Sequence, residues 1–165
     1  MSFGDGEGAG IGFDTARGRD WPSVRQFNVF LANRIGALMD VVRRFEVTDV
    51  RIVSLTVVDS ADCAIIRMVL SDPERALEIF QQGKMMVTES DLLVVKLPDG
   101  RQPLATICKA LLTAEISIDY AYPLMIGVGP EGNTALAIHV DDHETAAATL
   151  NDKGFTLYTE DDLTW

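Results

Sequence analysis

The sequence is short of most features that mark catalytic, membrane-bound or nucleic-acid-binding chains. Of its 165 residues only two are cysteine and two are histidine. Cys63 and Cys108 lie in apolar strand and helix patterns, so they read as buried free thiols rather than a disulfide. His139 and His143 are four apart, but one falls in a strand pattern and the other in the first turn of a helix. They are therefore not expected to share a face, and no metal is expected. No serine or cysteine has a histidine partner in the pattern, no carboxylate pair stands out and no phosphate loop is present, so the sequence offers no active site. Basic residues number 14 against 25 acidic, a formal net charge of -11. That charge argues against nucleic acid or an acidic membrane as a partner. With 7% aromatic residues the chain also lacks the sheet platform that RNA recognition uses. No apolar run approaches a membrane span, and the N-terminus does not lead from basic to apolar residues as a signal peptide does. A hydrophobic content of 47% is enough to bury a core, and a soluble cytoplasmic protein is expected.

Residues 1–24 stand apart. Met1 to Gly12 is mostly glycine with a few acids and has no apolar periodicity, which predicts a disordered tail. Gly4, Gly6 and Ala9 fit a loose G-x-G-x-x-A pattern, but no strand precedes them and Asp5 and Glu7 would repel a pyrophosphate. No cofactor is expected.

What the sequence does contain is a repeat. The stretch from Gln26 to Leu92 is echoed from Leu92 to Leu163, each copy the size of one very small domain. Leu38, Val41, Val42 and Phe45 in the first copy, and Leu104, Ile107, Cys108 and Leu111 in the second, are spaced i, i+3, i+4, i+7 and predict one apolar helical stripe each. Ser71-Asp72-Pro73-Glu74 and Asp141-Asp142-His143-Glu144 both place a capping side chain three residues before a glutamate, a second helix start written twice. Both of those helices are expected to stop at a glycine, Gly83 and Gly154, in the left-handed conformation. The Asp141, Asp142, Glu144 cluster is explained by capping rather than by a cation. The copies also close alike, Thr88-Glu89-Ser90-Asp91-Leu92 against Thr159-Glu160-Asp161-Asp162-Leu163.

Between the helices the chain reads as strands. In the first copy these are Val29 and Leu31, then Val53, Leu55 and Val57 in alternation, then Cys63 to Leu70, then a short strand after Gly83. In the second they are Leu93 to Leu97, then Ile116, Ile118, Tyr120 and Tyr122 on one face, then Ala135 to Val140, then Phe155 to Tyr158. Each copy thus has the order β-α-β-β-α-β, a ferredoxin-like unit. The fold class is α/β (α+β): two ferredoxin-like βαββαβ domains in tandem, at residues 25–90 and 91–165, each an antiparallel sheet with helices on one face.

One turn is unusual. Asn33-Arg34-Ile35-Gly36-Ala37-Leu38 places a short polar side chain and then a glycine at the start of an amphipathic helix. Free N–H groups there can receive an anion, and Gly36 lets it come close. The other reading of the same residues is a plain N-cap with a glycine that relieves packing.

At these residues the chain resembles the ACT domains, small regulatory modules. Leu31-Ala32-Asn33-Arg34-Ile35-Gly36-Ala37-Leu38 looks like their strand-to-helix signature, an Asn or Asp, one residue, Pro-Gly, one residue, Leu. The first copy has Ile35 in place of the proline. The second, Asp99-Gly100-Arg101-Gln102-Pro103-Leu104, keeps the Asp and Leu and loses the Pro-Gly pair. Thr48 to Ile52, Ala114 to Ile118 and Gly154-Phe155 also fit, over residues 25 to 163. The resemblance implies a free amino acid bound between modules, against the strand-to-helix turn of one and the second strand of its neighbour. Asn33, Arg34, Ile35, Gly36, Ala37 and Leu38 would then face Ile118, Asp119, Tyr120 and Ala121, with Tyr120 or Tyr122 walling the pocket. Gln102 would crowd the second turn, so the two sites are expected to be unequal. The resemblance further implies a non-catalytic regulator that acts on a biosynthetic enzyme such as an acetolactate synthase. Exposed sheet edges suggest edge-to-edge pairing of the copies and a homodimer. The other classes weighed are a structural or protein-interaction module with decayed ligand sites, and a small enzyme of the acylphosphatase sort. Arg34 lacks the phosphate-cradling loop that the enzyme would need.

Overall fold

The structure is a computed structural model that describes residues 21–164. The tail expected over residues 1–24 therefore lies outside the described residues as far as residue 20. From there the chain runs β1 (Val24–Ala32), α1 (Ala37–Glu46), β2 (Ile52–Asp59), β3 (Cys63–Leu70), α2 (Pro73–Gln82), β4 (Val87–Lys96), α3 (Pro103–Thr113), β5 (Ile118–Pro123), β6 (Ala135–Val140), α4 (His143–Asp152) and β7 (Leu157–Tyr158), then a 3-10 helix, Glu160–Leu163.

Strands neighbour one another in the order β2-β3-β1-β4-β6-β5, with β7 also on β4. Every pairing is antiparallel. The first half of β4, from Val87 to Leu92, pairs with β1, while Leu93 to Lys96 pair with β6 and Val94 and Val95 with β7. One strand is thus the last of the first copy and the first of the second. Counted that way, the copies have the same order, β2-β3-β1-β4 and β5-β6-β4-β7. The two ferredoxin-like units fuse within a continuous strand, where pairing of separate edges was expected. The boundary expected between residues 90 and 91 falls inside it.

Alternation along β4 distributes the core. Leu93 and Val95 face α3 and α4, packing with Ile107, Leu111, Ala146 and Leu150. Leu92 and Val94 face the other way, into a core with Val24, Val53, Val69, Tyr122, Leu124, Ala135 and Ala137. That second set comes from the helix-free faces of both units, so the sheet curls and closes on itself, with the helices outside. A backbone bond from Met125 N to the Val53 carbonyl, 2.8 Å, ties the far ends of the curl together. The first unit's helix-side core is built on Phe27, Val41, Phe45, Met68 and Phe80, with the Phe80 ring centroid 5.3 Å from Phe27 and 5.4 Å from Phe45.

Several local expectations are corrected. A register shift between Ile52 and Ser54 breaks the alternation of β2: Val53 enters the inter-sheet core, Leu55 packs on the helix side and Val57 is exposed. A matching shift between Ile118 and Tyr120 splits the face expected for β5. Ile116 and Ile118 join the helix-side core, whereas Tyr120 and Tyr122 join the inter-sheet core. On the first helix of each copy the buried positions are Ala37, Val41 and Phe45, and Ile107, Ala110 and Leu111. Leu38 and Leu104 are exposed, and Cys108 lies on the surface with Cys63 half-buried, so neither thiol is buried as expected.

The second helices are capped one residue later than the spacing suggested. Asp72 accepts from Arg75 N and Asp142 from Thr145 N, each at 3.0 Å. Ser71 and Asp141 instead accept from the backbone that enters the second strand of their own copy, Arg51 N at 2.8 Å and Ser117 N at 3.0 Å. The stops differ too. Gly154 is left-handed at φ 85, but Gly83 is an ordinary helical residue at φ -76, and the left-handed position passes to Lys84 at φ 53. Gly83 is constrained differently: a Cβ there would lie 2.7 Å from Nη1 of Arg44, so the end of that flexible side chain would have to move aside. The closing segments diverge as well, since Thr88 to Leu92 is strand whereas Glu160–Leu163 is a 3-10 helix started by Thr159 N donating to Asp162 Oδ2 at 2.7 Å.

Candidate functional site

The first strand-to-helix turn is held open by its backbone. Gly36 occupies the N-cap of α1 at φ 86, with no side-chain capping bond. A residue with a Cβ is strained in that left-handed conformation. Asn33 is therefore not the cap; its Nδ2 reaches Asp59 Oδ1 at 3.4 Å. Arg34 pairs with Asp40 in the first turn of α1. Ile35 is 100% exposed, Leu38 41%, and only Ala37 is buried. Nothing lies within 4 Å of the Cβ position at Gly36, so the helix start faces open space.

The second turn differs. Gln102 is the N-cap of α3 at φ -134, also without a side-chain bond, and Pro103 opens the helix. Beside this turn is a cleft of about 380 Å³, lined by Lys96, Leu97, Asp99, Thr106, Lys153 and Phe155 among others. Gln102, expected to crowd the turn, is not among the lining residues.

The β5 half of the expected site lies elsewhere in the chain. The Tyr120 hydroxyl accepts from Gln26 Nε2 at 2.8 Å, and Arg67 Cζ sits 3.7 Å above its ring. Six residue steps along the strand separate Gln26 from Ala32, roughly 20 Å at the usual rise. Among the described residues no hydrogen bond, ion pair or ring contact joins Asn33–Leu38 to Ile118–Ala121. Asp119 and Ala121 are exposed on β5, which ends the strand order opposite β2.

Within the chain Tyr120 and Tyr122 fasten the two units. Gln26 is fully buried, and its Oε1 accepts from the Tyr122 hydroxyl at 2.6 Å while its Nε2 also donates to Asn28 Oδ1 at 2.7 Å. Asn28 in turn donates to Ser90 Oγ at 2.8 Å. Burial pushes the Tyr122 phenol far above its ordinary range, with the neighbouring Tyr120 adding to the effect. A second buried group, Arg25, meets Glu74 at 2.8 Å and Glu89 and Glu160 at 3.5 Å. Burial pulls its pKa down, but the hydrogen bond to Glu74 and the charges of Glu160, Glu74 and Glu89 outweigh that and raise it. Sequence reasoning passed over Arg25 and Gln26. Their signal was present as polar residues inside an otherwise apolar strand, where a buried polar group needs a partner.

The histidines come together after all. Their ring centroids are 5.0 Å apart, edge to face, because the end of β6 places His139 beside the first turn of α4. His139 Nδ1 lies 2.8 Å from Asp119 Oδ2, and its ring stacks on Tyr120 at 4.9 Å. His143 Nε2 lies 2.9 Å from the Asp91 carbonyl, to which it donates, and Trp21 stacks on it at 5.0 Å. Burial lowers the His143 pKa below its usual 6.5, against the raising effect of that hydrogen bond. Among the described residues no group of His, Cys, Asp and Glu is arranged to hold a metal, and no helix is long and apolar enough to cross a membrane.

The profile of the family described as ACT domain pair matches residues 22–164. The fold is similar to that of protein BT0572 from Bacteroides thetaiotaomicron, at TM-score 0.76 and 22% identity, over 87% of this chain and 97% of that one. It is also similar to the regulatory subunit of aspartate kinase from Thermus thermophilus in its ligand-free form, at TM-score 0.52 and 10% identity, over 82% and 95% of the two chains. No curated protein matches the sequence.

Proposed function

The chain belongs to the family of ACT domain pairs, and on that premise we propose that it is a non-catalytic regulator that senses a free amino acid at its strand-to-helix turns. The observation that carries this reading is the open start of α1: an uncapped helix whose N-cap is a left-handed glycine with empty space at the Cβ position. The positive end of the helix dipole and its free N–H groups suit a carboxylate there. Asn33 beside it offers an oxygen to an ammonium group.

Within one chain the turn stands away from β5, so Asn33 to Leu38 would be completed by Ile118, Asp119, Tyr120 and Ala121 of a second copy. Exposure of Asp119 and Ala121 on the terminal strand supports that homodimeric arrangement. A bound ligand would then favour one assembly over another by its differential affinity. The target would be a biosynthetic enzyme, in keeping with the structural likeness to a regulatory subunit.

The test is thermal stability measured against each of the twenty amino acids. At a hundred times its dissociation constant a ligand adds about 2.7 kcal/mol. Gly36→Val should remove the shift. Gly132→Val, also at positive φ (65) and with open space around it, lies outside both turns and should destabilise while leaving the shift in place. If no amino acid at millimolar concentration moves the transition, the sensing role fails and a protein-interaction module is left.

A further inference from the structure

The cleft beside the second turn has a chemistry that the first turn lacks. Lys96 enters it from the end of β4 and Lys153 from beyond α4, while Asp99 and Thr106 line the α3 side. Among the described residues neither lysine has a carboxylate within ion-pair distance. In a chain with 25 acids and 14 bases, a cleft lined by two lysines, neither in an ion pair, and by a single carboxylate, Asp99, is a local exception. The lysines supply local positive charge on a chain whose net charge is -11. The first copy has no such pair. With the turns aligned on Asn33 and Asp99, Phe30 stands at the position of Lys96. With the second helices aligned on their N-caps, Asp72 and Asp142, Gly83 stands at the position of Lys153.

Size narrows the occupant. A volume of about 380 Å³ lies at the small end of ligand sites, which favours a compact molecule over a nucleotide or a peptide. Two separated cations call for two separated acid groups, and each ammonium can hold a carboxylate by charge-assisted hydrogen bonds. Asp99 supplies the one carboxylate of the lining and suits an ammonium group. We propose that this cleft takes a small dicarboxylate whose two acid groups span Lys96 and Lys153, with Asp99 receiving the ammonium when the ligand is an acidic amino acid. The proposal rests on the reading that the strand-to-helix turns of this pair take small ligands, and it names the class for the second turn.

The experiment is calorimetric titration with thermal shift, on the full chain at constant ionic strength. The probes are L-aspartate and L-glutamate, their amides L-asparagine and L-glutamine, and the ammonium-free diacids succinate and glutarate. At least one dicarboxylate should bind and stabilise while its amide does not. Lys96→Ala and Lys153→Ala should each weaken that binding about tenfold or more, and Lys109→Ala, exposed on α3 and outside the cleft, should leave it unchanged. Amides that bind as well as the acids, or lysine variants that bind as the parent does, overturn the proposal. A neutral or basic amino acid that stabilises while every dicarboxylate fails overturns it too, and leaves amino-acid sensing standing. Succinate or glutarate binding through the lysines, with no amino acid active, keeps the dicarboxylate site and ends the sensing role. No response to any probe ends both.

Discussion

Replacing Gln26 by alanine should loosen the two units from each other, because this side chain is the hub of the polar contacts between them. The Tyr122 hydroxyl donates to Gln26 Oε1 at 2.6 Å in a buried position. Its loss of an acceptor should cost about 1–3 kcal/mol. One buried methylene goes as well, at about 0.8 kcal/mol. The total for Gln26→Ala is therefore about 3 kcal/mol. Tyr122→Phe strands only the Gln26 oxygen and should cost about 1–2 kcal/mol. In the double variant the two orphaned groups disappear together, so its cost should fall short of the sum by about 1 kcal/mol.

Urea unfolding of the four proteins measures that coupling, and pH supplies a second reading. Burial holds the Tyr122 phenol neutral in the folded chain, whereas the unfolded chain releases the proton near the ordinary 10. The folded state then binds more protons than the unfolded one, so stability is complete below pH 10 and falls as pH rises past it. The slope for one group is at most about 1.4 kcal/mol per pH unit, and Tyr122→Phe should remove it. A coupling below about 0.3 kcal/mol together with an unchanged alkaline slope would refute the hub.

Two further expectations concern single groups. His143 is held neutral by burial, so its imidazole should titrate below 6.5 by NMR; stability is then complete above that pH and declines as pH falls through the lowered midpoint, and a midpoint at or above 6.5 would remove the argument. The two glycines at the ends of the second helices should respond differently to alanine. Gly154→Ala, at φ 85 in open space, should cost about 1 kcal/mol for backbone strain alone. Gly83→Ala has ordinary φ and meets only the far end of the exposed Arg44 side chain, so it should lie within about 0.5 kcal/mol of the parent; equal losses at both sites in urea unfolding would contradict the distinction.

The order of elements was legible because it rests on periodicity and turn chemistry, both local in sequence. Ser71-Asp72-Pro73 and Asp141-Asp142-His143 announced the second helices to within one residue. The register shifts at Ile52 and Ile118 were not legible, since an extra residue in one strand is defined only by the partner it faces. For the same reason Thr88–Leu92 and Thr159–Leu163 looked alike and folded differently: the first has β1 beside it, while the second caps itself through Thr159 and Asp162. The lysine pair at the second turn was hidden because Lys96 and Lys153 lie far apart in sequence and meet only once β4 and α4 are packed.

A strand owned by two modules also governs how the duplication can be used. Between Val87 and Lys96 even a cut at Leu92–Leu93, which would leave each unit its own paired segment, would strip both of the core they bury against each other, so neither copy is released as an intact smaller domain. Between those residues there is also no hinge to absorb movement. Whatever draws Lys96 toward an occupant pulls on the same rod that lies against β1 of the other unit. Where a flexible link would isolate two halves, here the join is itself a paired strand of both units.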